Sequence, residues 1–155
     1  MMTNISVRKG VIALLTAALF AGGPLFGQTL AATDVPAELS KFQDIQLRLV
    51  RFLSNGKEIA IPPTVTITLT FQNRGRISGR SAVNNYGGVF TAIPNGEISI
   101  QVTMVTQMAG APKLMELERE YFEALSHVKQ ILLKPDRIIL KNETTSLDFA
   151  FNRAR

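Results

Sequence analysis

The sequence predicts an α+β fold that is mostly β: a curved antiparallel sheet or small β-barrel of about eight strands with one α-helix packed on it. Three observations carry this reading. Apolar and polar residues alternate in DIQLRLVRF (44–52), TVTITLTF (64–71) and EISIQV (97–102), the period-2 mark of half-buried strands. Asn-Gly and Pro-Asn-Gly turn signals separate such runs at hairpin spacing. Only in PKLMELEREYFEALSHV (112–128) does the apolar period change to that of a helix. Consecutive hairpins with one inserted helix form a curled sheet whose opening the helix covers. Closure would also remove the exposed strand edges of a chain that has no cysteine.

The chain has 155 residues. Arg8 and Lys9 precede VIALLTAALFA (11–21), an apolar run shorter than the about 20 residues needed to span a bilayer. Gly22, Gly23 and Pro24 end the run, and small residues follow. Residues 1–31 therefore read as a secretory signal peptide cleaved after Ala31, with Gly27 or Ala32 as neighbouring sites. An uncleaved anchor is the competing reading. Residues 32–43 read as a flexible leader and 44–152 as one folded domain with a modest core. The segment after Ala31 has fifteen basic and twelve acidic residues, a net +3. Its basic residues form no run and no aromatic-arginine array, which argues against nucleic-acid binding. Thiol catalysis and cysteine-based metal sites are excluded.

Taken in order, the first strand (44–52) turns Ile45, Leu47 and Leu49 to one face and Gln46, Arg48 and Val50 to the other. The turn 54–57 leads to a short apolar piece, EIAI, which ends at Pro62-Pro63. The run 64–71 sets Val65, Ile67, Leu69 and Phe71 against Thr64, Thr66, Thr68 and Thr70. Such threonines are good β-formers on an outer face, and ice or glycan binding is the sharper alternative. RISGRSAVNNYGGVF (76–90) reads as a tightly shaped connection with Asn84, Asn85 and Tyr86 near its apex. Left-handed backbone at its glycines would make Gly79→Val or Gly88→Val destabilising by roughly 1–3 kcal/mol. GVFTAI (88–93) and EISIQV form a hairpin across Pro94-Asn95-Gly96, and TMVTQMAGAP (103–112) is a less regular crossing. On the helix, Leu114, Leu117, Tyr121, Leu125 and Val128 form one stripe, with Pro112 in the first turn. Core packing is the favoured role of that stripe over partner binding. QILLKP, RIILKN and SLDFAF close the chain as three strands. The inward set, with Ile98, Ile100, Ile138, Leu140, Phe149 and Phe151 added, is large and aliphatic, which suggests a filled interior.

The order of these segments is similar to that of the META domain family, which includes a bacterial heat-shock protein. Its members carry a loop S-G-x-x-G-C-N-x-Y-x-G, and Ser78, Gly79, Asn84, Tyr86 and Gly88 occupy matching places here. They also carry T-x-M-A-C and then a helix with M-x-x-E; Thr106, Met108, Ala109, Met115, Glu118, Phe122 and Leu125 match. The likeness runs from about Ile45 to Phe151. It departs at Ala82, at Val83 and Gly110, where family cysteines would fall, and in the absence of any tryptophan. A disulfide or redox role does not carry over. The resemblance implies a protein of the periplasm or outer envelope of a Gram-negative bacterium, or a secreted one, with stress or envelope-integrity associations and no established catalytic residues.

The residues themselves offer little chemistry. His127 is the single histidine, and Ser126 beside it points about 100° away on a helix, so the pair makes a poor nucleophile and base. Glu116, Glu118 and Glu120 are spread around the helix, too evenly for an acid/base pair. Glu118 packed over the 84–86 loop can accept amide and phenol hydrogen bonds, as a structural clamp in preference to a ligand site. The candidate interaction or structural loop is thus Ser78, Gly79, Asn84, Asn85, Tyr86, Gly88, Thr106 and Glu118. No enzyme activity, cofactor or metal is expected. The expected function is a non-catalytic envelope protein acting by protein-protein interaction or envelope support. The alternative is a carrier of a small apolar or lipid-like ligand inside the barrel. A monomer is expected, with an envelope protein or a small apolar ligand as partner and room for peripheral membrane association.

Overall fold

The structure, a computed structural model, describes residues 39–92 and 97–151. The signal peptide and the competing anchor, the Pro94-Asn95-Gly96 turn and the start of the leader lie outside the described residues.

Among the described residues nine strands and the helix α1 follow in the order β1 (Gln46–Ser54), β2 (Lys57–Glu58), β3 (Thr68–Gln72), β4 (Arg76–Arg80), β5 (Asn85–Ala92), β6 (Ile98–Val105), α1 (Pro112–His127), β7 (Gln130–Leu133), β8 (Arg137–Lys141) and β9 (Ser146–Phe151). All named strand pairs are antiparallel, and the sheet runs β6-β5-β4-β3-β1-β9-β8-β7, with β2 beside β1. The sheet curls into a half-barrel. Its two end strands approach where the Ile98 N–H donates to the Lys129 carbonyl at 2.8 Å. α1 packs against β6 and β9 across the opening. This is the predicted fold class.

The helix stripe does what its spacing predicts. Leu117, Tyr121, Ala124, Leu125 and the following Val128 are buried against inward-facing Leu47, Leu49, Leu69, Ile100, Ile138, Leu140 and Phe149. Each of the Leu, Ile, Val and Phe side chains contributes about 1.5–3 kcal/mol when fully buried. Pro112 occupies the first turn, and Val128 ends α1 in extended backbone that runs straight into β7. The Asn-Gly signal also holds: Asn55 and Gly56 both have positive φ, 50° and 75°, as a tight two-residue hairpin between β1 and β2 requires.

Several elements differ from expectation. A register shift between Leu49 and Arg51 against β9 resets the alternation of β1. Phe52 therefore faces inward and Val50 stays 52 % exposed. Ile45, expected inside, is 37 % exposed, just after Asp44 with its positive φ of 60°. Phe151 is only partly buried and stacks on Phe42 at 5.2 Å. Residues 64–67 lie outside any strand, because the Val65 N–H turns back to the Pro62 carbonyl at 2.9 Å. The four threonines thus form no continuous ladder, and Thr68 is buried. EIAI contributes only Glu58 to a strand, while 103–105 extend β6. The leader ends earlier than expected: Leu39 is buried, Ser40–Phe42 form a 3-10 turn, and Gln43 bridges Phe71.

The largest difference concerns 76–90. It is a regular hairpin, β4 and β5, around a loop of residues 81–84, and Asn85 and Tyr86 begin a strand. Gly79 and Gly88 are not at positive φ; among the described residues the positive-φ glycines are Gly56 and Gly75. What Gly79 and Gly88 supply is room. A Cβ on Gly88 would sit 2.1 Å from the Gln101 carbonyl oxygen, at the bulge between β5 and β6.

Candidate functional site

The loop 81–84 is fastened to α1 by one buried carboxylate. Glu118 Oε2 accepts the Ser81 hydroxyl, the Val83 N–H at 3.1 Å and the Asn84 N–H at 2.8 Å, and Oε1 accepts Asn84 Nδ2 at 2.7 Å. The Asn84 carbonyl accepts the Ser81 N–H at 2.8 Å and also lies 2.7 Å from Ser81 Oγ, whose one proton goes to the carboxylate as the charged, stronger acceptor. Asn84 extends the network to the crossing that follows β6. Its Oδ1 accepts the Thr106 hydroxyl at 2.9 Å and the Met108 N–H at 2.7 Å. Thr106 Oγ1 in turn accepts the Asn85 N–H at 3.1 Å. One asparagine side chain therefore joins hairpin, crossing and helix.

A tyrosine pair lies beneath. The Tyr86 hydroxyl donates to the Thr68 carbonyl at 2.8 Å, so the 2.7 Å contact between the two phenols has Tyr121 donating to Tyr86. The Tyr86 ring packs edge-on against Tyr121 and Phe122 and crosses Gly79, its partner on β4. Burial pushes both phenols above the ordinary tyrosine range, so neither is an acid or base near neutrality. For Glu118, burial alone would raise the pKa. The hydrogen bonds from Ser81, Asn84 and Val83 together outweigh it and hold the carboxyl below its ordinary value.

Of the eight expected residues, Asn84, Asn85, Thr106 and Glu118 share one network, and Tyr86 with Gly79 forms the layer below it. Ser78 pairs with Thr70 and Gly87 across the sheet and is no partner of the carboxylate. Gly88 serves the bulge. Sequence reasoning missed Ser81 and Tyr121. Ser81 was legible as a hydroxyl three residues before Asn84, whose N–H it accepts at 3.1 Å. Tyr121 was legible as a neighbour of Glu118 one helix turn on. Ser126 donates to the Glu123 carbonyl and His127 is exposed, so they form no nucleophile-base pair.

Among the described residues no buried side-chain nitrogen or oxygen lacks a hydrogen-bond partner, and no group of three His, Cys, Asp or Glu side chains could hold a metal. No described helix is long and apolar enough to cross a membrane. A cavity of about 100 Å³ lined by Leu39, Gln43, Phe71, Gly75 and Phe90 and one of about 220 Å³ beside His127 lie apart from the Glu118 network.

The places where family cysteines would fall are in contact. A Cβ built on Gly110 lies 2.7 and 3.0 Å from Val83 Cγ2 and Cγ1. In a disulfide the sulfur of one residue sits about 3 Å from the Cβ of the other. Val83→Cys/Gly110→Cys is therefore expected to oxidise in air, closing a loop of about 27 residues and adding about 3 kcal/mol of stability. Denaturation with and without dithiothreitol reads the difference; identical curves would mean that the bond strains the loop as much as it constrains the unfolded chain.

Known structures share the architecture. An NMR structure of a protein from Burkholderia xenovorans is 22 % identical, with a TM-score of 0.63, over 93 % of this chain and all of that one. The crystal structure of a DUF4847 family protein from Bacteroides vulgatus is 15 % identical, with a TM-score of 0.55, over 76 % of this chain and 99 % of its own. Both likenesses are of fold. No curated protein matches the chain. The META domain profile matches residues 40–154, the half-barrel, its helix and the fastened hairpin together, and the chain belongs to the META domain family.

Proposed function

We propose that this chain is a non-catalytic envelope protein that acts by protein-protein interaction or by supporting envelope integrity under stress. One observation carries the non-catalytic part: both oxygens of the buried Glu118 carboxylate are engaged by donors of its own chain, three at Oε2 and one at Oε1. A general acid or base needs a lone pair or proton free for substrate, and this carboxylate holds a loop instead. The apolar run 11–21 behind Arg8 and Lys9 supports export. The stress association rests on the family resemblance. The second reading, a periplasmic carrier of a small apolar or lipid-like ligand, asks for an internal void, whereas Phe52, Tyr121, Phe149, Leu69 and Leu140 fill the interior.

Native mass spectrometry of the protein, purified gently from its host's envelope fraction, separates the two. The interaction reading expects the bare chain with a co-purifying protein in fixed stoichiometry. An adduct of a few hundred daltons that survives desalting would replace it with the carrier reading. The same spectrum locates the signal cleavage.

A further inference from the structure

The charges of this chain are segregated. Residues 45–96 hold Arg48, Arg51, Lys57, Arg74, Arg76 and Arg80 against a single acid, Glu58, whereas α1 carries Glu116, Glu118, Glu120 and Glu123. Strand register turns the basic segment into a surface. Leu47, Leu49, Leu69, Ile77, Ile138 and Phe149 are buried inside, so alternation puts Arg48, Thr68, Arg76, Arg80, Arg137 and Ala150 on the outer face. Arg48 pairs with Thr68 on one side and Ala150 on the other, and Ala150 pairs with Arg137. The Arg80 N–H donates to Thr68 Oγ1 at 3.0 Å. Arg137, Arg48 and Arg80 thus stand in one row on alternate strands, about 10 Å apart, with only small side chains between them.

Arg51 and Arg137 are paired with Glu58 and Asp136. Among the described residues no carboxylate lies within ion-pair distance of Arg48, Arg76 or Arg80. Apolar side chains share this face: Val89, 38 % exposed, opposite Arg76, and Met104, 70 % exposed, opposite Gly87.

We propose that this convex face, with Arg48, Arg76 and Arg80 as its cations and Val89 and Met104 as its apolar contacts, docks on an anionic lipid bilayer. Cations dispersed over a convex sheet meet a plane of separate headgroups better than one compact anion. Apolar side chains between them enter the headgroup boundary, as in other interfacial proteins. The acidic helix lies on the concave side, so the same surface potential that attracts the arginines repels α1 and orients the molecule. A single-stranded nucleic acid would call for aromatic rings among the arginines, and the outward positions of β1, β3, β4 and β5 hold none. The inference concerns a face separate from the Glu118 network and does not depend on its role.

Vesicle flotation of the full chain tests it, with phosphatidylcholine alone and mixed with phosphatidylglycerol. The ratio of binding to the two vesicle types cancels the apolar contribution of the N-terminal run, which is common to both. The wild type is expected to prefer the anionic vesicles at low salt and to lose that preference at high salt. Arg48→Ala/Arg80→Ala is expected to lower the ratio roughly thirtyfold, with Arg76→Ala lowering it severalfold if the pair melts early. Lys113→Ala/Arg119→Ala, an equal change of charge on α1, is expected to leave it unchanged. A wild-type ratio near one, or an equal loss in the α1 variant, overturns the proposal. So does Arg-dependent retention on heparin without vesicle binding, which would make the face a soluble polyanion site.

Discussion

Glu118→Ala is expected to remove about 3–5 kcal/mol of stability, a large share of the 5–15 kcal/mol typical of a folded domain. The substitution removes the charged acceptor of four donors at once: the Val83 N–H is stranded, while the Ser81 hydroxyl is left the Asn84 carbonyl at 2.7 Å, the Asn84 N–H the Ser81 Oγ at 3.1 Å and Asn84 Nδ2 the Met108 carbonyl at 3.4 Å. Each donor left without an acceptor costs about 1–3 kcal/mol, reduced where water enters the space vacated. Glu118→Gln refines the point. Its least unfavourable orientation keeps oxygen toward the three donors at Oε2 and turns the new NH₂ against Asn84 Nδ2. Asn84 cannot flip in response, because its Oδ1 already accepts from Thr106 and Met108. A loss of about 2 kcal/mol is expected for Gln, between wild type and Ala. The difference between wild type and Gln depends on pH. The folded-state pKa of Glu118 lies below the unfolded value. Its stabilisation is therefore fully present above the unfolded pKa and is lost as pH falls through the folded one. Urea midpoints measured at neutral and strongly acidic pH should show the wild-type advantage in the first and a reduced one in the second. Equal midpoints for all three proteins at neutral pH would show that the carboxylate fastens nothing.

Alternation in this sequence reports burial rather than hydrogen bonding, and that explains which elements were legible. Val65 and Ile67 are buried, as their period-2 spacing says. Yet Pro62-Pro63 and the turn back from Val65 keep 64–67 out of any strand. β6 was legible at its start because Ile98 and Ile100 face the core. Its last residues, Thr103 to Val105, are exposed and leave no alternation to read. The bulge in β1 was invisible because the extra residue carries no compositional mark; only the partner strand reveals it. The Glu118-to-loop clamp was foreseeable from residue types, a helix carboxylate and a run of amides. Ser81 and Tyr121 leave only a faint local mark, a hydroxyl three residues before Asn84 and a ring one helix turn after Glu118. The sequence reads Gly79 and Gly88 as places of left-handed backbone in a tightly shaped connection. In the fold they are places where two strands and a tyrosine approach too closely for a side chain.

Gly79→Ala tests that last point and is expected to destabilise the domain by more than about 3 kcal/mol. In an ordinary strand the same change gains stability, by roughly 0.5–1 kcal/mol, because alanine loses less backbone entropy on folding. Here the new Cβ would sit 2.1 Å from the Thr68 carbonyl oxygen, 2.7 Å from the Tyr86 hydroxyl and 2.8 Å from its Cε1. The first of these is backbone, so relief requires β3 and β4 to part or β4 to bend. The others belong to a ring held by two hydrogen bonds, to Thr68 and Tyr121. Moving that ring breaks both and opens the layer beneath the Glu118 clamp. The comparison is Gly87→Ala on the neighbouring strand, where the nearest atom to a new Cβ is the flexible Met104 Cε at 3.3 Å. That substitution is expected to change stability by less than about 0.5 kcal/mol or to raise it slightly. Thermal melts of the two variants side by side separate contact from conformation. A large loss at Gly79 with none at Gly87 means that the glycine makes room for Tyr86 and the Thr68 backbone. Equal losses would mean that the hairpin demands glycine for its backbone, and the close approach of Tyr86 would then be incidental.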